Sequence, residues 1–192
     1  MQEYIQDESY QAVNFSREEK PAKEYDNCQF NKCDFSEADL TDVIFTECQF
    51  EGCNFSSAKI QNASFQEAVF KCCKMLGLQF DECNQFNLSF AFELCVLDHS
   101  GFYQCKLQQT AFKDCQMKQV DFSQADFSQS SFDDCDLVLA TFDRTNLSQV
   151  DFQSAVNFSI DPTKNNIKKA KFSKQNIHGL LDCFEIELIN RL

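Results

Sequence analysis

Large apolar residues recur at every fifth position of this chain, from Phe30 through Phe35, Leu40, Phe45, Phe50 and Phe55 to Ile60. Two places before each stands a small residue: Cys28, Cys33, Ala38, Val43, Cys48, Cys53 and Ala58. Five residues carry an α-helix through about 500°, which scatters such positions over every face. A straight strand alternates faces with period two, so successive Phe residues would point to opposite sides. Within each unit, however, the small and large residues stand two apart, the strand relation for one shared face. The pattern predicts short extended segments that bury both residues, each followed by a corner that restores the phase. Repeated, this winds the chain about its own core as a solenoid.

The first run continues through Phe65, Phe70 and Met75 to Phe80, and a second extends from Leu97 to Phe152. Cysteines recur twenty residues apart, as Cys28 and Cys48, Cys33 and Cys53, Cys53 and Cys73, Cys95 and Cys115, and Cys115 and Cys135. If identical residues stack, this spacing puts four units in each coil and gives a square cross-section of about seven coils.

Breaks in the pattern divide the chain. Residues 1–27 read as an N-terminal cap with an imperfect first coil, holding one unit at Phe15 and a polar excursion before Tyr25. Residues 28–80 form the first block and 97–172 the second, whose last coils fade before the register returns at Phe172. Between them, 81–96 contain a bulge two residues longer than the repeat allows, with Gln85 where an apolar residue is due. In the tail, 173–192, Ser173 can cap a short helix bearing Leu180, Leu181 and Phe184 at helical spacing. The following "FEIELI" alternates like a strand. Such a segment covers the open end of the tube, whose Phe residues and strand edges are otherwise exposed.

The units "ADLTD", "ADFSQ" and "CDFSE" resemble those of pentapeptide-repeat proteins. The resemblance implies an all-β fold, a right-handed quadrilateral β-helix with a short C-terminal helix and strand cap. The two-block layout and the tail are similar to the Qnr-like branch of that family. That likeness implies a DNA mimic that binds type II topoisomerase (DNA gyrase or topoisomerase IV) and shields it from quinolones or peptide toxins. It also implies a homodimer joined end to end through the tail, with Leu180, Leu181, Phe184, Ile186 and Leu188 as the candidate contacts. The chain departs from the branch in having no long surface loop.

Composition bears on chemistry mainly by exclusion. The 192 residues include 22 Phe, no Trp and only four Gly, as a narrow tube filled by a phenylalanine ladder requires. No apolar stretch reaches eighteen residues and the start resembles neither a signal peptide nor a lipidation site, so a cytoplasmic protein outside the membrane is expected. Ten of the twelve cysteines occupy the small inward position, where a free thiol behaves as a small apolar group. Neither His99 nor His178 lies near them, so core packing is expected rather than metal, and no cofactor. Cys72 and Cys183 break the pattern and are the expected reactive thiols. There is no Gly-rich phosphate loop and no histidine beside a nucleophile, which argues against an enzyme.

Thirty acidic against seventeen basic residues give a net charge of −13, which argues against direct nucleic-acid binding. The twenty-residue period places Asp39, Asp42, Asp81, Glu82, Asp121 and Asp143 on one side, with Lys59 and Arg144, leaving a balance of four negative charges there. The other sides come out near two each, while Lys164, Lys168, Lys169, Lys171 and Lys174 cluster beside the tail. A dimer of such rods spans about 70 Å at strand spacing. It carries twice 13 charges, against on the order of 40 for duplex DNA of that length. Two functions follow: a topoisomerase-binding DNA mimic, or an acidic β-helical interaction scaffold with an unrelated partner.

Overall fold

Each five-residue unit forms one side of a square coil, and successive coils stack in parallel register. The computed structural model describes residues 3–17, 22–184 and 186. The first side contributes a four-stranded parallel sheet of Tyr4–Gln6, Glu24–Asp26, Ile44–Thr46 and Ser64–Gln66. The second side runs further, as a seven-stranded parallel sheet from Ser9–Gln11 to Ser131–Asp133. The third and fourth sides are joined by single parallel bridges such as Asp34↔Asn54 and Asp39↔Lys59. Except across the bulge described below, these partners stand twenty residues apart, as the cysteine spacing predicted. The fold is the expected right-handed quadrilateral β-helix.

The core is a set of aromatic columns. On the second side Tyr10, Phe30, Phe50, Phe70, Phe92, Phe112, Phe132, Phe152 and Phe172 stack with centroids 4.8–5.5 Å apart and planes within 13°. Its nine rings make eight coil-to-coil steps, so the column is longer than the about seven coils expected. Rings on adjacent sides meet edge to face, as Phe30 and Phe35 do at 5.5 Å, so the tube is filled by two favourable aromatic geometries at once. On the fourth side Phe122 lies between Phe102 and Phe142, at 5.5 and 5.0 Å.

Three devices satisfy the backbone around the corners. Before the central residue, Asp or Asn accepts the N–H two positions on, as at Asp34, Asn54, Asp121, Asp126, Asp136 and Asn146, with distances of 2.9–3.3 Å. This Asx turn explains why the repeat favours Asp and Asn there. Two places after the centre, the backbone adopts positive φ at Glu47, Asp114 and nearly every equivalent residue. The N–H of that residue donates to the next coil, as Glu47 does to Gln66 at 2.8 Å. Finally, the small inward residue donates to a carbonyl of the preceding coil. Cys53 Sγ reaches Phe30 at 3.2 Å, Ser100 Oγ reaches Met75 at 2.9 Å, and Thr145 Oγ1 reaches Phe122 at 2.9 Å. Size alone therefore does not set that position.

The ends and the bulge depart from the sequence reading. The register already holds at Ile5 and Tyr10, so the first coil contains more than the single unit at Phe15: Tyr4↔Glu24 and Ser9↔Gln29 pair at the twenty-residue step. Glu3 and Glu8 hide these units because they occupy the small position, and both are exposed. At the bulge the step lengthens to twenty-two, as in Val69↔Ala91 and Gln79↔Gly101. Gln85 turns outward and donates to the carbonyls of Phe80 and Cys83 at 3.2 and 3.0 Å. Phe90 fills the interior in its place, 5.6 Å from Phe65, while Phe86 is 72% exposed at the tip.

The cap is tighter than an α-helix. It consists of two 3-10 turns, Ile177–Leu180 and Asp182–Phe184. The Ser173 hydroxyl accepts the Asn176 N–H at 3.3 Å, and Asn176 Oδ1 accepts the Ser173 N–H at 2.9 Å. Asn176 is buried and its Nδ2 donates to the carbonyls of Phe152 and Ala155 at 2.7 and 3.0 Å, closing the end of the tube. Gly179 lies against Phe158, and its carbonyl accepts the Ile160 N–H at 2.8 Å. Most of the expected terminal strand, including Leu188, lies outside the described residues. Among the described residues, no helix is long and apolar enough to cross a membrane.

Candidate protein-interaction surface

Outward residues stack as regularly as inward ones, so the solenoid converts sequence spacing into surface stripes. The bridges Asp39↔Lys59, Gln79↔Gly101, Gly101↔Asp121 and Asp121↔Thr141 run along the fourth side. Asp39, Asp42, Asp81, Glu82, Asp121 and Asp143 thus all belong to one side, despite the two-residue slip at the bulge. Asp39, Asp42 and Glu82 are exposed, and Asp81, Asp121 and Asp143 are half-buried.

Their local partners differ. The side chain and amide of Thr41 hold the Asp39 carboxyl below the usual carboxylate range, and its Oδ1 accepts the Thr41 N–H at 3.1 Å. Asp42 accepts from Asn62 Nδ2 at 2.6 Å and Asp121 from the Ser123 N–H at 2.9 Å. Asp143 is neutralised locally by Arg144, whose Nε lies 3.0 Å from it. The side is closely filled at Gly101, where a Cβ would run into Gln79 Oε1. Asp81 Oδ1 lies against the same position and has no hydrogen-bond partner among the described residues. The side thus carries a modest acid excess, tempered by Lys59 and Arg144, in which only Asp39 and Asp121 are held by backbone N–H groups.

Tyr103 sits on this side, next to Gly101, and is 39% exposed. Sequence reasoning passed over it, although an aromatic one residue after the buried Phe102 breaks the polar habit of that position. The tail residues divide. Leu180 packs against the core and Leu181 is half-buried, so neither presents an open face. Phe184 and Ile186 are exposed, and Ile177, which the sequence reading left out, is exposed beside them in the cap. In the basic cluster, Lys171 pairs with Asp151 at 3.0 Å and Lys164 with Asp161 at 3.6 Å.

Ten thiols are buried, and Cys72 and Cys183 are exposed, as their positions in the repeat predicted. Among the described residues, no three His, Cys, Asp or Glu side chains converge to hold a metal ion.

No curated protein matches this sequence. The model of pentapeptide repeats in eight copies matches residues 26–56 and 48–84, and that of the pentapeptide repeat region matches 112–180. Among solved structures, two trypsin-treated forms of QnrB1, described as a plasmid-mediated fluoroquinolone resistance protein, superpose with TM-scores of 0.63 and 0.64 at 18% identity. They cover 99% and 97% of this chain and all of their own. Full-length QnrB1 gives 0.55 at 19% identity over 95% of this chain and all of its own. At that identity the likeness is one of fold. The matched repeats span most of the coils just described, and the chain belongs to the pentapeptide-repeat family.

Proposed function

We propose that this protein is a non-catalytic DNA mimic of the cytoplasm that binds a type II topoisomerase, DNA gyrase or topoisomerase IV, at its DNA-binding saddle. The observation that carries the reading is the strip of six carboxylates along one side of a straight, narrow rod. Eight coil steps of about 4.8 Å make a rod near 38 Å long. Its net charge is −13, against roughly 22 charges on duplex DNA of that length. That density draws a basic saddle by long-range attraction, while the regular coils keep the carboxylates at fixed spacing. Likeness to a fluoroquinolone resistance protein supports the same partner class. The exposed Phe184 and Ile186 support pairing of two copies through the tail.

A second reading has its own support. The acid excess is spread around the rod, with only a modest surplus on the fourth side, as suits a scaffold with another partner. Gyrase supercoiling separates the two. The topoisomerase reading predicts that the wild-type chain alters supercoiling or restores it in the presence of a quinolone. No effect of either kind across a wide titration would leave the scaffold.

A further inference from the structure

The second side of the rod is its most regular surface, a seven-stranded parallel sheet whose outward residues fall into two straight rows. In the row before the buried ring every residue from Ser9 to Ser131 is uncharged, and Val69, Ala91 and Ala111 stand near its middle. In the row after the ring the charge alternates from coil to coil: Glu51, Lys71, Glu93, Lys113 and Asp133. Lys71 and Lys113 both reach Glu93, at 3.5 and 3.1 Å, yet all three side chains keep a third or more of their surface open. Val69 is 42% exposed, and at the adjoining corner Leu94 is 48% exposed, one coil beyond the exposed Cys72.

We propose that this face binds a second copy of the chain, side by side and antiparallel, about a twofold axis lying between the strands Ala68–Lys71 and Phe90–Glu93. The alternating row selects both the partner and the register. When two such rows lie face to face in opposite directions, an axis placed on the coil of Glu93 sets Glu93 against Glu93 and Lys71 against Lys113, so like charges meet. An axis midway between coils shifts the alternation by one step and sets each charge against its opposite. With the axis between these two strands, Lys71 faces Glu93 of the second copy and Glu51 faces its Lys113. At the corner Lys32 faces its Asp134, and every contact occurs twice by symmetry. No two like charges stand directly opposite along the face. At the centre Val69 meets Ala91 and Leu94 meets Cys72, and the small alanines let the sheets approach to the usual distance of about 10 Å.

Complementary charge of this kind fixes register more than it adds affinity. Eight overlapping coils of about 4.8 Å, each presenting a side about 10 Å wide, put roughly 800 Å² into the contact from both copies together, below the size of standard interfaces. The pair therefore exchanges with free chains and fills as concentration rises. The second side lies opposite the fourth, so each copy keeps its Asp39 to Asp143 side turned outward. Pairing here is also separate from pairing through the tails, which point in opposite directions.

The test uses the full chain with Cys183→Ser, which leaves Cys72 as the one exposed thiol, and a short bismaleimide cross-linker at micromolar protein. In the proposed pair the two Cys72 residues stand on the order of 11 Å apart, whereas joining through the tails separates them by about ten coil steps, roughly 48 Å. Two variants reverse the row. Lys71→Glu with Lys113→Glu makes it acidic throughout, and Glu51→Lys with Glu93→Lys makes it basic from residue 51 to 113. Each alone should keep its β circular-dichroism signal and cross-link about tenfold less than the parent, because like charges now face each other. An equimolar mixture should restore cross-linking as a mixed pair, identified by its mass. No cross-linked parent, parent-level cross-linking by either variant alone, or a mixture no better than its components would overturn the proposal.

Discussion

Leu139 sits at a corner with φ of 58° and is 67% exposed. A branched apolar side chain gains nothing from water there and strains a left-handed backbone by on the order of 1–2 kcal/mol. Leu139→Asn should therefore raise stability by roughly 1 kcal/mol, read from the denaturant midpoint, and a loss would contradict the corner geometry. The opposite case is Phe122, fully buried between Phe102 and Phe142. Phe122→Ala should cost about 3–5 kcal/mol, while Ser123→Ala, one residue outward, should cost far less. At this scale the inward residues were legible, because a tube of fixed bore admits one large and one small side chain per unit. The positive-φ corners were not. Glu47, Gln104 and Leu139 all occupy them, so no residue type marks the conformation; the N–H bonded to the next coil holds it.

A single coil is legible as an element only where it has neighbours on both sides. Glu3 and Glu8 concealed the first coil because exposed charges stand where the repeat otherwise places a small residue. Gln85 marked the bulge correctly, but not that Phe90 would take its place inside. The tail showed its apolar character and not its 3-10 winding, since Leu180, Leu181 and Phe184 fit either helix at so short a length. Closure rests on Asn176 and Gly179. Asn176→Leu leaves the carbonyls of Phe152 and Ala155 without their donor and should cost about 1–3 kcal/mol. Gly179→Val adds a side chain where Phe158 already lies, and should expose the end coil. Hydrogen exchange in both variants should rise at 152–172 and stay unchanged near Phe50. Uniform exchange along the rod would place closure elsewhere.

Across the whole molecule, burial gives the core a pH limit. It pushes the thiols of Cys48 and Cys105 up to about 12, from an ordinary 9.0. The folded state holds these protons more tightly than the unfolded chain, so the stability they contribute is complete below pH 9 and is lost as pH rises towards 12. Each thiol removes about 1.4 kcal/mol per pH unit across that window. Denaturant midpoints should therefore fall between pH 8.5 and 10.5, and fall less steeply in the Cys48→Ala, Cys105→Ala double variant. Parallel decline in both proteins would show that the thiols do not set the limit.

The central claim is that the charged side of the rod occupies a site built for DNA. Rod and periodicity could be read from the sequence, with acidity spread around the rod and only a slight surplus on one side; the partner could not, because a repetitive acidic surface suits any basic partner. Displacement of labelled duplex DNA from purified gyrase tests it most directly. The wild-type chain should displace DNA, and less so as salt rises, since the attraction is screened. A variant with Asp39, Asp42, Asp121 and Asp143 each changed to Lys should keep its β signature and displace none. Displacement that survives the four reversals, or no displacement by the wild-type chain at low salt, would contradict the account.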